Sequence, residues 1–259
     1  MRLAFFLDNR GMAGRGSLPD PCWGNPAIGG TEYAFLSVVA LLQDTAVEPV
    51  LFLTQPQVVA GLAPGSLKRA RDLSDALEQA EALSAVALVF RPGVVPADQW
   101  TALERSALPL VAWLHNLGCD QQARTEALPN LRHWVLVSAA QLDHFRHSRL
   151  AQTAVVIPNP VAVPLAASQP RQWAEAADAT DLGYVGALTP FKGFDRLAAR
   201  WGEIAAACPQ ARLRVFGGAD LYGQRAPAGG LTPYERHCRQ LLEASGQAHR
   251  VVFEGTCGL

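Results

Sequence analysis

Three short polar segments carry residue types suited to binding a phosphate or a sugar. The first is Gly29-Gly30, with Thr31 and Glu32 directly behind it, at the start of an apolar helical segment. Two glycines let a backbone approach a ligand closely, and a helix N-terminus offers free N–H groups and a positive dipole end to a phosphate. The same residues also fit a simple turn in which Thr31 caps the helix, so the spacing leaves both interpretations open.

The second segment is His115-Asn116, which follows the apolar run LVAWL at residues 110–114. If that run is a buried strand of a parallel sheet, both polar residues lie at its carboxyl end, where ligands bind in such folds. His115 is therefore a candidate catalytic residue and Asn116 a candidate cleft contact. A lone histidine is also commonly structural or merely exposed.

The third segment is Lys192-Gly193, between a predicted strand and a predicted helix. A lysine beside free helix amides combines a point charge with oriented donors, which suits a diphosphate. Lys192 is one of only two lysines in the chain, the other being Lys68. The alternative is an ordinary solvated surface lysine.

The elements that must position these segments follow from hydrophobic periodicity. Buried strands are predicted at residues 3–7, 49–53, 85–90, 110–114, 134–137 and 154–157. Helices are predicted at 31–43, 74–83, from 96 onwards, and at 139–147. Strands alternating with helices predict a parallel sheet covered on both faces, with ligands at the carboxyl ends of the strands. The residues just after positions 7, 90, 114, 137 and 157 are therefore the most interesting.

A second unit follows a segment rich in proline and alanine. We predict a first Rossmann-like domain at residues 1–165, a linker at 166–183 and the start of a second Rossmann-like domain at 184–259. This second part has strands at 184–185, 213–216 and 251–253, a helix of period 3.6 after Lys192, and a helix opened by the capping box Thr232-Pro233-Tyr234-Glu235. Gly246 is a plausible end for that helix. Three strands form a small sheet that would leave an apolar edge and face uncovered, so the domain is expected to be incomplete at its C-terminus.

Composition excludes several classes of protein. The chain has 259 residues, a net charge of −1 and 17% charged residues, which argues against nucleic-acid binding. Five cysteines without CxxC spacing predict free thiols in a reducing compartment, and the sequence shows no signal peptide and no transmembrane segment. We therefore expect a cytoplasmic protein, for which peripheral membrane contact stays open.

Other chemistries fit poorly. The segment after the first strand lacks the GxGxxG of a nicotinamide site, and no GxxxxGK[ST] occurs. His144 and His147 are spaced as metal ligands on a helix, but no carboxylate or cysteine is placed to complete such a site. No Asp-x-Asp is present to hold a metal–diphosphate complex. We expect no metal and no cofactor, so helix ends, Lys192 and arginines must meet any diphosphate charge.

The ordered set of segments resembles glycosyltransferase family 4, also called the group 1 glycosyltransferases. The segments that carry the resemblance are IGGTEYAFLSVVALL (28–42), VAWLHN (111–116), VLVSAAQLDHF (135–145), VVIPNPV (155–161), YVGALTPFKGFDRLAARW (184–201), LRVFGG (213–218) and VVFEG (251–255). Each segment alone is common, whereas the ordered set is specific and spans nearly the whole chain.

The resemblance implies a GT-B fold, with two Rossmann-like domains, the first mainly for the acceptor and the second mainly for the sugar nucleotide. It implies a retaining, metal-independent, hexosyltransferase-like enzyme that moves a sugar from a nucleotide-diphosphate sugar to a hydroxyl of a carbohydrate, lipid or other acceptor. By position, Gly29 and Gly30 match the glycine loop near the donor phosphates. His115 matches a histidine near the transferred sugar, and Lys192, beside Gly193, matches a lysine on the diphosphate.

The chain departs from the family pattern at three places, of which the first two bear on activity and the third on the hinge more than on the chemistry. Ala187 stands where the family usually has arginine, so half of the cationic clamp is missing. The family's pair of glutamates seven residues apart would come after Leu259, and Asn159-Pro160 replaces the usual Asn-Gly. The alternative hypothesis is therefore an inactive GT-B remnant or fragment that acts as a binding module.

Overall fold

The structure is a computed structural model that describes residues 1–12, 16–161, 180–218 and 230–256. The chain divides into two compact units, of which the first comprises Met1–Asn25 and Gly30–Pro164 and the second Pro26–Gly29 and Leu165–Leu259. Most of the predicted linker lies outside the described residues, so the domain limits drawn from the sequence stay a prediction.

The first unit contains a parallel sheet of seven strands in the order β3-β2-β1-β4-β5-β6-β7. Its strands are β1 (Arg2–Leu7), β2 (Glu48–Leu53), β3 (Leu67–Arg69), β4 (Leu88–Phe90), β5 (Leu110–Leu114), β6 (Leu131–Leu136) and β7 (Ala154–Val156). The strand order changes direction between β1 and β4. A sheet of this kind opens a crevice at the carboxyl ends of those two strands.

The described residues of the first unit form five α-helices: α1 (Gly30–Leu42), α2 (Leu73–Ala82), α3 (Trp100–Arg105), α4 (Gln122–Glu126) and α5 (Ala139–His144). Helix α1 is apolar nearly all round, and its residues Phe35, Leu36 and Val39 are fully buried. Strands β2 and β4 read as continuous apolar runs because they are covered on both faces. The large side chains Phe52, Phe90, Trp100 and Trp134 dominate the core of this unit and fix the sheet beneath the candidate site.

The second unit contains a parallel sheet of three strands in the order β10-β9-β8 among its described residues. Its elements are β8 (Thr180–Val185), α6 (Phe194–Ala207), β9 (Ala211–Phe216), α7 (Pro233–Ala244) and β10 (Val251–Gly255). Helices α6 and α7 cover one face of the sheet, where Phe194, Trp201 and Val215 form the centre of a separate core.

The opposite face of this small sheet is open in the described part of the unit. Leu213 and Val215 of β9 are buried whereas Arg212 and Arg214 between them are exposed, as alternation along a strand requires. Val185 on the exposed side of β8 is 84% accessible. The uncovered face is therefore mixed in character, with exposed arginines beside Val185 and Val252, and not uniformly apolar as expected. The incompleteness of the domain stays a prediction.

Most predicted elements agree with the structure to within a few residues. Strand β5 has the predicted bounds, and α7 begins with the predicted capping box between Thr232 and Glu235. Strand β8 begins at Thr180, four residues before the predicted strand, and the helix expected from residue 96 is a short 3-10 turn followed by α3. Strand β3 and helix α4 were not predicted, because they are too short to show a period.

Candidate functional site

His115 follows directly after β5 and packs among aromatic rings of the first unit. Its ring centroid lies 4.6 Å from that of Trp113 and 5.9 Å from that of Phe35 on α1. Both ring nitrogens are buried, and neither has a hydrogen-bond partner among the described residues. A buried polar group without a partner costs about 1–3 kcal/mol, so this imidazole is disposed to bond to a ligand.

The surroundings of His115 keep its ring neutral. Burial, the larger cause, and the charge of Arg91 together lower its pKa from 6.5 to about 4. At neutral pH the ring therefore carries one N–H donor and one nitrogen acceptor. It is suited to hydrogen bonding with a hydroxyl group and not to supplying positive charge to a phosphate.

A cavity of about 280 Å³ opens at the carboxyl ends of the strands, where the sheet order changes direction. It is formed by residues that end or follow β1, β2 and β4, together with the start of α2. The lining residues are Phe6, Leu7, Asp8, Arg10, Thr54, Arg71, Asp72, Leu73, Arg91, Val94, Val95, Pro96, Asp98 and Gln99. The sequence directed attention to the residues after positions 7 and 90, and both segments line this cavity.

A hydrogen-bond network holds Asp8 at the cavity wall. The Thr54 hydroxyl donates to Asp8 Oδ1 at 2.9 Å, and the buried Asn9 binds both Thr54 and the backbone of Gln55. Burial alone would raise the pKa of the Asp8 carboxyl, but hydrogen bonds from Arg10 and Thr54 lower it below its ordinary value. Asp8 is therefore an ionised hydrogen-bond acceptor, and its side chain is held in place by Thr54, which follows β2.

Arg91 comes immediately after β4 and lines the same cavity in a half-buried position. Of the other two arginines there, Arg10 pairs with Asp8 and Arg71 pairs with Asp75. Within the described part of the chain, Arg91 makes no hydrogen bond or ion pair. Arg91 is therefore a cavity residue whose positive charge lowers the pKa of His115.

The glycine loop is placed as the sequence predicts, with one difference. Helix α1 begins at Gly30, so Thr31 lies inside the first turn and does not cap the helix from outside. Gly29 is buried and Gly30 is exposed. A Cβ built on Gly30 would meet no described atom within 4 Å, so packing does not demand glycine there. Glu32, half-buried in the same turn, already supplies negative charge to this helix end.

Asn116 is exposed, and its backbone oxygen accepts a 2.7 Å hydrogen bond from the buried side-chain amide of Gln141 on α5. The same amide also bonds to Leu114, on the other side of His115. The first unit thus brings together His115, Asn116 and Arg91 at one edge of its sheet.

Lys192 and Gly193 lie in the second unit, where they precede α6. A 3-10 turn ends at Lys192, and Gly193 adopts the left-handed conformation at φ +69° before the helix begins without a side-chain cap. The Lys192 side chain is exposed; among the residues described its recorded contact is with the Phe191 ring, 6.0 Å from Nζ to centroid. Asp195 in the first turn is bound to Tyr234, whose hydroxyl donates to Asp195 Oδ1 at 2.7 Å.

Ala187, at the position where arginine was expected, is buried at 3% exposure. It belongs to a loop that lies close to the loop after β9. A Cβ at Gly217, where φ is +144°, would come within 1.9 Å of the Gly186 oxygen. Only glycine is compatible with that approach of the two backbones.

The described residues contain no group of three or more histidine, cysteine, aspartate or glutamate side chains arranged to hold a metal ion. His144 and His147 are exposed, and His147 Nε2 accepts a hydrogen bond from Arg146. Cys22, Cys119, Cys208 and Cys238 are free thiols. Among the described helices, none has the length and apolar character needed to cross a bilayer.

The sequence marked the positions of Asp8 and Arg91, each the first residue after a predicted buried strand, but assigned neither residue a role. Thr54 and Gln141 were missed altogether. The roles of Thr54 and Gln141 depend on contacts with residues 46 and 25 positions away, which no local pattern encodes.

Comparison with solved structures identifies the fold. HepE from Anabaena, in complex with UDP-glucose, matches with a TM-score of 0.63 and 17% identity, over 100% of this chain and 70% of that one. The lipopolysaccharide outer core galactosyltransferase WaaB, in its apo form, matches with a TM-score of 0.61 and 16% identity, over 99% and 68%.

Sucrose-phosphate synthase from Thermosynechococcus elongatus matches with a TM-score of 0.62 and 15% identity, over 100% and 71%. No protein-family model and no curated protein sequence matches the chain. At these identities the likeness shows the fold alone: an α/β fold of the GT-B glycosyltransferase type, as expected from the sequence.

Proposed function

We propose that this protein is a glycosyltransferase that uses a nucleotide-diphosphate sugar as donor and a hydroxyl group as acceptor. The observation that carries the proposal is His115: a buried, neutral imidazole with no described hydrogen-bond partner, at the ligand-binding edge of a GT-B-type sheet. Structural neighbours in complex with UDP-glucose and with UDP support a nucleotide-sugar donor.

The donor diphosphate is assigned to Gly29, Gly30, Lys192 and Gly193. Gly30 leaves open space at a helix start, and Lys192 precedes the start of α6, which has no side-chain cap at Gly193 but carries the Asp195 carboxylate in its first turn. Stabilising the charge that develops on the departing diphosphate is the main electrostatic task of such a transfer. We propose that these groups perform it without a metal ion and that the transfer retains configuration.

His115 is assigned to a hydroxyl of the transferred sugar. A neutral imidazole offers one donor and one acceptor, and the rings of Trp113 and Phe35 exclude water from its sides. A hydrogen bond formed in such surroundings is stronger than in water and strengthens as charge develops on the sugar.

The cavity beside Arg91 is assigned to the acceptor. Its wall combines the ionised Asp8, which accepts hydrogen bonds, with the guanidinium of Arg91, which donates them. This mixture of a hydrogen-bond acceptor and a donor suits a polyhydroxylated molecule. We further propose a cytoplasmic location, in keeping with the free thiols.

One observation favours a second candidate, an inactive GT-B module that binds a nucleotide or acceptor without transfer. Ala187 is buried in place of the arginine expected beside the diphosphate, which halves the cationic charge available to the leaving group. A module of this kind would bind nucleotide but release none.

The two candidates are separated by donor cleavage. The purified chain is incubated with UDP-glucose, UDP-galactose and GDP-mannose, and free UDP or GDP is measured over time. We expect slow release from one donor and a decrease of about 100-fold in His115→Phe, which keeps the aromatic packing and removes the hydrogen bond, since one hydrogen-bond donor at a developing charge has an effect of that order. Nucleotide binding with no release from any donor would support the binding module.

A further inference from the structure

We propose that Gln141 is the positioning residue for His115: its buried side-chain amide bonds to the backbone on both sides of the histidine. Gln141 Nε2 donates to the Leu114 oxygen at 3.1 Å and to the Asn116 oxygen at 2.7 Å. The inference rests on the proposed role of His115 in transfer.

The amide of Gln141 is bound on both of its ends. Its Oε1 accepts from the Val137 N–H at 2.7 Å, immediately after β6, while Nε2 holds the end of β5. Its own backbone N–H donates to the Ser138 side chain at 3.1 Å, which fixes the start of α5. Gln141 is 2% exposed, so water does not compete for these bonds. The amide therefore links the carboxyl ends of the neighbouring strands β5 and β6 by hydrogen bonds and holds them in a fixed relative position.

His115 needs such a restraint because its ring has none of its own. Neither ring nitrogen has a described hydrogen-bond partner, so the ring is held by its contacts with Trp113 and Phe35 and by the backbone that carries it. The direction of the His115 Cα–Cβ bond is set by the backbone from Leu114 to Asn116, to which Gln141 is bonded.

A purely structural role is the competing explanation, and the chain contains a matched control. Asn130 is also a buried amide whose Nδ2 bonds to two backbone oxygens, those of Ser106 at 3.0 Å and Leu108 at 2.9 Å. It holds the chain before β5, at the opposite end of the strand from His115. Loss of either amide removes a donor from two backbone oxygens, but only loss of Gln141 frees the backbone around His115.

The test compares Gln141→Met and Asn130→Leu in the full chain by urea unfolding, histidine NMR and the donor-release assay. The His115 ring signal is assigned as the one missing in His115→Phe. We expect both variants to lose stability. Only Gln141→Met should shift the His115 signal and lower kcat. The expected decrease in kcat is about 10- to 100-fold, with KM changed less than about threefold, because a small misplacement of a reacting group slows the reaction more than it weakens binding.

An unchanged His115 signal in folded Gln141→Met, or an equal shift in Asn130→Leu, would overturn the proposal. If Gln141→Met does not fold, the nearly isosteric Gln141→Glu replaces it, with Asn130→Asp as its control and the same outcomes. Failure of the proposed function would be visible separately, as no nucleotide release from the unaltered chain. The NMR comparison then still decides whether Gln141 positions His115.

Discussion

The His115 ring lies against the Trp113 ring at the same strand end, with their centroids 4.6 Å apart and their planes tilted by 39°. This contact removes the imidazole from water on one face, while Phe35 on α1 does so from another side. His115 is therefore neutral at physiological pH. The sequence alone did not determine whether this ring is charged or neutral.

The first prediction concerns how the free energy of unfolding depends on pH through His115. The folded-state pKa of His115 is about 4, below its ordinary value of 6.5, so the unfolded chain takes up a proton first as the pH falls. The stability contributed by the neutral ring is therefore present above pH 6.5 and lost as the pH falls towards 4. Its full amount is at most about 3 kcal/mol.

We expect His115→Phe, which keeps the aromatic packing, to lose less of its free energy of unfolding between pH 7 and pH 4.5 than the unaltered chain. Urea unfolding at the two pH values measures this difference. The control is His133→Phe, since His133 is exposed on β6. Equal losses in His115→Phe and the unaltered chain would show that the ring is not kept neutral by the fold.

The second prediction concerns Arg91. Its charge is the second cause of the lowered His115 pKa, after burial. In Arg91→Met the pKa of His115 should rise but stay below 6.5, because burial remains. Arg91→Lys keeps the positive charge and should therefore change the pKa of His115 less. Histidine NMR titration measures both values. A pKa that is the same in all three proteins would contradict the link between the cavity and the histidine.

The third prediction compares two glycines. Gly30→Ala adds a Cβ in open space at a helix start, so the free energy of unfolding should stay the same or rise by up to about 1 kcal/mol. Affinity for UDP should fall, because the methyl group occupies space assigned to the phosphates. Gly217→Ala forces a Cβ against the Gly186 oxygen and should destabilise the second unit by more than about 3 kcal/mol. Undiminished UDP affinity in Gly30→Ala would remove this loop from the donor site.

The sequence was sufficient for the elements whose signal is local. Strand β5 is a continuous apolar run between polar residues, and α7 starts with a capping box whose two hydrogen bonds form as predicted, at 3.2 Å and 2.8 Å. The position of His115 followed from the strand alone. Its neutrality did not, because burial by Phe35 and the charge of Arg91 come from elements 80 and 24 residues away.

The same reason explains why Gln141 escaped notice. A glutamine near the start of a short helix has no distinctive pattern, and its importance lies in which carbonyl groups it reaches. Those groups, on Leu114 and Asn116, lie at the end of β5 and just after it, 25 or more residues earlier in the chain. The assignment of Lys192 to the donor diphosphate, by contrast, stays a prediction from the sequence and its resemblance.

Calorimetric titration with UDP and GDP tests the central claim most directly. Lys192→Met and Lys68→Met form a matched pair, because these are the only two lysines and Lys68 lies on β3. We predict that the unaltered chain binds one of the two nucleotides. The dissociation constant should be about tenfold larger in Lys192→Met, because one charged hydrogen bond is lost, and unchanged in Lys68→Met. Absence of binding to both nucleotides, or binding that Lys192→Met leaves unchanged, would contradict the account.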